Sequence, residues 1–302
     1  MKAYKTPRTE KCFVNNSPLL TLALLFIATV AVLVLFSGSA FVSSKCVYPV
    51  KVRGEIAAAD YYSDSYASSG YIISQIRAAE GSAEAGAILL EVDSPGGSPA
   101  ASKEIFDALA NSSKPVVAYT GDTAASGGYY VAAASDWIVA NPNTLTGNIG
   151  ARATLYNYRG LFDKLGLSED TIKSGDLKDM GSGYRNMTEE ERRIFQEFVD
   201  EAFANFKNDV EKGRQGKLTA FYNEVLDARV LSASGALRAG LVDEIGNRQR
   251  ALEKAAELGG ADATACYVPE EFSLNRLFSG LGAALARGFK SELENKASVE
   301  FK

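Results

Sequence analysis

Ser126 lies in Ala124-Ala125-Ser126-Gly127-Gly128-Tyr129-Tyr130, a lone serine among small residues. It follows a strand-like run, Val116–Thr120, and precedes the apolar run Val131–Ala134, so the order reads strand, tight turn, helix. A nucleophile would be well seated there. Small neighbours let a substrate backbone approach, and free amides at a helix start point toward developing negative charge. The same residues also read as an ordinary helix N-cap with glycines for close packing, and this stretch alone favours that simpler reading. The whole chain changes the weighing, because it contains no histidine. A Ser-His-Asp triad is excluded, as is any metal site that needs imidazole. If Ser126 is a nucleophile, its base is a lysine, a carboxylate or a chain terminus.

Two further stretches could contribute. Asp93-Ser94-Pro95-Gly96-Gly97-Ser98 is a tight turn after Pro95, and such a turn also presents a nest of N–H groups. Lys178 sits in the loop Asp176-Leu177-Lys178-Asp179-Met180-Gly181-Ser182, where by itself it reads as a solvated loop lysine.

The elements that must hold these residues follow from hydrophobic period. Val50–Ile56 alternates like a first strand, residues 67–80 have helical spacing around Ile72, Ile73 and Ile76, and Ala87–Val92 suits a buried parallel strand. Pro99–Leu109 reads as a helix, Trp137–Ala140 as a strand, and Asp170–Gly175 as one more strand leading into the Lys178 loop. A capping box, Thr188 with Glu191, opens a long amphipathic helix that stops near Gly213. Its stripe of Ile194, Phe195, Phe198, Val199, Phe203 and Phe206 is expected to pack. Val225–Gly246 reads as helix, turn and strand, and Arg248–Leu258 as a helix closed by Gly259-Gly260. Strands alternating with helices imply an α/β fold of repeated βαβ units with a parallel sheet. Both glycine turns fall at carboxyl ends of strands, where such folds gather functional groups.

The 302 residues, 46% hydrophobic and 23% charged, allow one substantial domain plus appendages. A net charge of −5, with the signs interspersed, gives no basic stripe, so nucleic acid is not an expected partner. Residues 1–18 are polar and carry Lys2, Lys5, Arg8 and Lys11 against the single acid Glu10, and 19–42 form an apolar run long enough to cross a bilayer of ~30 Å. This predicts a transmembrane anchor with the remainder outside the cytoplasm; a cleavable signal peptide ending near Ser37 and Ser39 is the rival reading. Cys12, Cys46 and Cys266 form no CxxC pair; Cys46 and Cys266 would share one side and either form a disulfide or remain free thiols. Residues 43–260 are then the main domain, and 261–302 a tail with helical alternation from Phe272.

Read together, the DSPGG turn, ASGGYY, the TG-x-IG segment, KSGDLKDMGS, and RV followed by GLVDEIG resemble, in that order, the signal peptide peptidase A family. These are membrane-anchored Ser-Lys serine proteases of the ClpP/crotonase fold, and the likeness covers about residues 50–260. The resemblance implies Ser126 as nucleophile and Lys178 as general base. It implies an oxyanion hole from the N–H of Gly96 or Gly97 with that of Gly127. The pattern KSG-x-x-K favours Lys178 over Lys173. Asn148 stands where the family usually has a serine that orients the lysine amine, and its carbonyl could accept the same bond. Family members with one such domain form ring-shaped homo-oligomers in which Ser and Lys come from neighbouring subunits. No cofactor or metal is implied. A base lysine needs its pKa lowered by about 3 units from ~10.4, which burial of the amine can supply. The expectation is a single-pass membrane endopeptidase, its catalytic domain outside the cytoplasm, that cuts hydrophobic peptides such as released signal peptides. The alternatives are a Ser-Lys protease of the stomatin-associated type with one specific substrate, and an inactive scaffold. A crotonase acting on acyl-CoA fits an external, anchored domain poorly.

Overall fold

The computed structural model describes residues 22, 25–30, 45–60, 63 and 66–268. The chain divides into two units, residues 1–44 and 45–302. In the first, Leu22 and residues 25–30 are helical, and Thr29 Oγ1 donates back to the Leu25 and Phe26 carbonyls. Most of the expected anchor at 19–42 lies outside the described residues, as does the tail from 269. Among the described residues no helix is long and apolar enough to cross a membrane.

The second unit is built on strands β1 (Cys46–Arg53), β4 (Ala85–Ser94), β5 (Val116–Ala125), β6 (Trp137–Ala140) and β9 (Glu244–Ile245), all parallel and adjacent in that order. β4 is buried at every residue but Asp93, which is why its sequence is a continuous apolar run rather than an alternation. Its side chains still divide between faces. Ile88, Leu90 and Val92 join the core beneath helices α1 (Ser69–Gly81), α2 (Pro99–Ala110) and α3 (Gly127–Ala132). Ala87 and Leu89 meet Ala251, Leu252, Ala255 and Ala256 of α7 (Arg248–Gly259). Two short strands, β2 (Glu55–Ala57) and β3 (Tyr66–Ser68), pair separately. The expected strand Val50–Ile56 is therefore divided: Gly54, at φ 79°, turns the chain between β1 and β2.

The carboxyl ends of β4 and β5 are irregular. Val92 pairs with Thr120 but Ser94 with Ala124, so β5 carries extra residues that bow outward, and Asp93 Oδ1 receives the Thr123 amide at 3.1 Å. Beyond the bow, β7 (Leu145–Gly147) pairs with Thr123–Ala125 and continues antiparallel to β8 (Val230–Ser232).

Between β7 and β8 the chain leaves the sheet. Helix α4 (Arg159–Leu165) buries no residue. Asp170–Gly175 forms no strand, correcting that expectation: the segment has the period of a strand but no partner strand among the described residues. Helix α5 (Glu189–Gly213) starts at the capping box, with Thr188 N donating to Glu191 Oε2 at 2.9 Å and Glu191 N to Thr188 Oγ1 at 3.2 Å. Its aromatic stripe packs only in part. Phe206 is buried while Phe198 is 58% exposed, so the stripe is a core face at one end and open at the other. The 3-10 turn Ala220–Val225 and α6 (Ala233–Ala239) complete the domain.

Two ties close the fold. Thr264 O accepts from Val47 N and Val47 O from Cys266 N, bringing Cys266 beside β1, where it is disulfide-bonded to Cys46. Arg214, wholly buried, donates to Asp243 at 2.8 and 3.0 Å and to the Gly240 carbonyl. Burial opposes ionisation of Asp243, but Arg214, the Ile138 amide and Lys217 together hold its carboxyl below the ordinary range. Arg214→Met would leave that carboxylate buried and under-compensated. A loss of about 3–5 kcal/mol in urea unfolding is expected, with partial recovery in Arg214→Met/Asp243→Leu. A loss below about 1 kcal/mol would show the pair to be dispensable.

Candidate active site

Ser126 occupies the junction of β5 and α3, and its backbone is not that of an N-cap. Its φ and ψ are 53° and −124°, and its side chain makes no cap hydrogen bond. An N-cap serine takes extended backbone and spends its oxygen on the helix. Here the hydroxyl is uncommitted, and a non-glycine residue at positive φ costs on the order of 1–3 kcal/mol, which the surroundings must hold in place. They do so from two sides. Ser126 N donates to Gly147 O at 2.9 Å, and Thr146 Oγ1 to Ala124 O at 2.8 Å, so β7 fixes the approach to the turn. On the other side lies the 94–98 turn: a Cβ on Gly128 would fall 2.5 Å from Ser94 O, and one on Gly96 would fall 2.6 Å from Gly127 N.

The turn presents its amides unequally. Gly96 N donates to the buried Ser94 hydroxyl at 3.1 Å. Gly97 is bracketed by β2, with Ile56 N donating to Gly96 O and Ser98 N to Ile56 O, which leaves Gly97's own N–H unused. A Cβ placed on Gly127 would lie 3.2 Å from that Gly97 nitrogen. Gly127 opens α3, so its N–H has no intrahelical acceptor. Two amides thus sit beside the serine and beside each other.

Ser126, Gly96, Gly97, Gly127 and Asn148 all line one cleft of about 610 Å³. Asn148 is at φ 53°, which asparagine tolerates better than most residues. Its Nδ2 donates to the Ala228 carbonyl at 2.5 Å, so its Oδ1 is left to accept a hydrogen bond from elsewhere. The cleft wall is Tyr130 stacked on Phe206, ring centroids 4.4 Å apart. Burial, together with the Asp209 carboxylate that accepts its hydroxyl, pushes Tyr130 far above the ordinary tyrosine range, so it is a wall and not a base. Glu55 and Arg152 bring opposite charges to the lining. Sequence reasoning missed both, since neither falls in a motif; Tyr130 and Phe206 were visible only as parts of a motif and a stripe.

Lys178 is not in this cleft. It is exposed, in a loop that packs against the start of α5. That loop is well tied: Arg185 binds Asp179 and Glu191, and Lys173 binds Asp179 at 2.7 Å. Within one chain the structure therefore assembles the serine, the amides and Asn148, and leaves the lysine outside.

Peptidase family S49 matches residues 108–262, and the Clp protease family matches 56–146. A protein of Enterococcus faecium named "Putative signal peptide peptidase SppA" is 38% identical over 217 residues, 70% of this chain and 63% of that one. Protease 4 of Haemophilus influenzae is 33% identical over 213 residues, 69% of this chain and 34% of its own. The chain thus spans less than two thirds of the length of these relatives. A solved structure of a membrane-bound stomatin-specific protease mutant aligns with a TM-score of 0.48 at 20% identity, covering 76% of this chain and 99% of that one. With its α/β fold and parallel sheet, and with more than half of its length matched by the family, the chain belongs to peptidase family S49.

Proposed function

We propose that the protein is a membrane-anchored serine endopeptidase in which Ser126 of one subunit is activated by Lys178 of the next, and that it cuts hydrophobic peptides such as released signal peptides. The observation that carries this is the state of Ser126: a strained residue whose hydroxyl serves no structural purpose, flanked by two uncommitted amides. The neutral Lys178 amine would take the hydroxyl proton as Oγ attacks the peptide carbonyl, and the oxyanion would form between the N–H groups of Gly97 and Gly127. The same amine would then protonate the leaving nitrogen, and later activate the water that releases the acyl group. Asn148 Oδ1 is the acceptor that would aim the amine.

The assembly is part of the proposal. The excursion between β7 and α5 exposes Leu161, Leu165, Leu167 and Ile172, the last 97% accessible, and so many exposed aliphatic side chains in one segment call for a partner. A second copy of the chain, repeated head to tail into a ring, would cover it and carry Lys178 into a neighbour's cleft. The apolar run 19–42 supports anchoring, and the Cys46–Cys266 disulfide fits an oxidising compartment outside the cytoplasm. The test is active-site labelling of the intact assembly with a fluorophosphonate, mapped by mass. A single adduct on Ser126, absent from Ser126→Ala at unchanged Tm, is the expected result. An assembly that takes no label would mean that the fold has been kept as an inactive scaffold.

A further inference from the structure

The Lys178 loop places an acid where a lysine base tolerates it worst. Asp179 follows Lys178 directly, and a carboxylate within ~4–6 Å of an amine favours its protonated, non-basic form. Both oxygens of Asp179 are nevertheless occupied. Arg185 Nε donates to Oδ2 at 2.8 Å and its Nη2 to Oδ1 at 2.8 Å, while Lys173 Nζ reaches Oδ1 at 2.7 Å. Arg185 is held in turn by Glu191, buried at the capping box of α5, through Nη1 at 2.9 Å and through Nη2. Asp179 is turned inward, with a side chain only 11% exposed, while Lys178 is exposed and makes no ion pair among the described residues. Arg185 and then Lys173 hold the Asp179 carboxyl far below its ordinary range, so it stays charged and paired at any working pH. Arg185 and the Thr188 amide lower Glu191 to about 2.

We propose that Arg185 and Lys173 are positioning residues that sequester the Asp179 carboxylate, so that the Lys178 amine enters a neighbouring Ser126 cleft without a counter-ion. This rests on the reading of Lys178 as base. The other charges around the amine are Asp176, solvent-exposed on the same loop, Glu191 behind Arg185, and Glu55 and Arg152 in the cleft it would enter. None of these takes up Asp179.

The experiment measures the pH dependence of fluorophosphonate labelling of Ser126 in the full-length assembly. Arg185→Gln should move the alkaline midpoint up by about one pH unit or more, a loss of about tenfold at pH 7 that disappears on the high-pH plateau. Adding Asp179→Asn should bring the midpoint back, although the Arg185–Glu191 contact is still missing. An unmoved midpoint, or an equal loss at every pH that Asp179→Asn does not repair, would overturn the proposal and leave Arg185 a purely structural residue. If Arg185→Gln does not assemble, Lys173→Gln decides the question by a smaller shift in the same direction, and no shift there refutes it. Lys178→Ala separates the two levels. Unaltered labelling in that variant sinks the reading of Lys178 itself, whereas an inactive Lys178→Ala with an unmoved Arg185→Gln midpoint sinks only this inference.

Discussion

Subunits carrying Ser126→Ala and subunits carrying Lys178→Ala, each inactive by itself, should recover peptide hydrolysis when they are co-assembled. Each substitution alone is expected to lower kcat by roughly 10⁴-fold or more, because a nucleophile and its base act as a unit and the loss of either removes the step. The recovery follows from where the lysine lies. Ser126, Asn148 and the amides of Gly97 and Gly127 share one cleft of one chain, and Lys178 is exposed outside it. If each site takes its serine from one subunit and its lysine from the next, about one site in four of a random equal mixture receives both intact groups. If both groups came from the same chain, no site in the mixture could be complete and no activity would return. Mixing before and after assembly, with hydrolysis as readout, therefore distinguishes the two arrangements directly. Mixed assemblies that remain inactive would refute the shared site.

The features legible in the sequence were those set by short-range pattern. Apolar runs such as Ala87–Val92 identified parallel strands buried on both faces, and the Thr188–Glu191 spacing located the start of α5 to the residue. The absence of histidine narrowed the choice of base without any structure. What stayed hidden depends on distant partners. Ala-Ser-Gly reads locally as an N-cap, and only the clamp of Gly147 O on one side and Gly96 on the other forces Ser126 to positive φ. Thr171-Ile172-Lys173 has the period of a strand, but a strand needs an edge to join, and the described residues offer none there. The α5 stripe identified an apolar face correctly, yet period alone cannot say whether the chain itself covers that face: at Phe206 it does, at Phe198 it does not. Of the two amides open to choice in the 94–98 turn, the Ser94 hydroxyl settles which is committed, and its aim is a property of the folded turn.

Gly96→Ala should cost about 10²–10³-fold in kcat, comparable to losing one oxyanion donor, with KM changed far less. Gly96 is at φ 101°, a conformation that strains any side chain, and a methyl there would fall 2.6 Å from Gly127 N and 2.9 Å from Ser126 Cβ. Relief requires the 94–98 turn and the head of α3 to move apart, which separates the Gly97 and Gly127 amides that must converge on one oxygen. On the proposed reading a peptide held along the Tyr130–Phe206 wall would not need that convergence, so the penalty should appear in the transition state rather than the ground state. Ser94→Ala provides the contrast. It removes the Ser94 hydroxyl that accepts from the Gly96 N–H while leaving Gly97 in place, so it should change kcat by no more than a few-fold if Gly97 is the working donor. A large rate change in Ser94→Ala, or Gly96→Ala retaining full kcat, would move the oxyanion hole away from the Gly97–Gly127 pair.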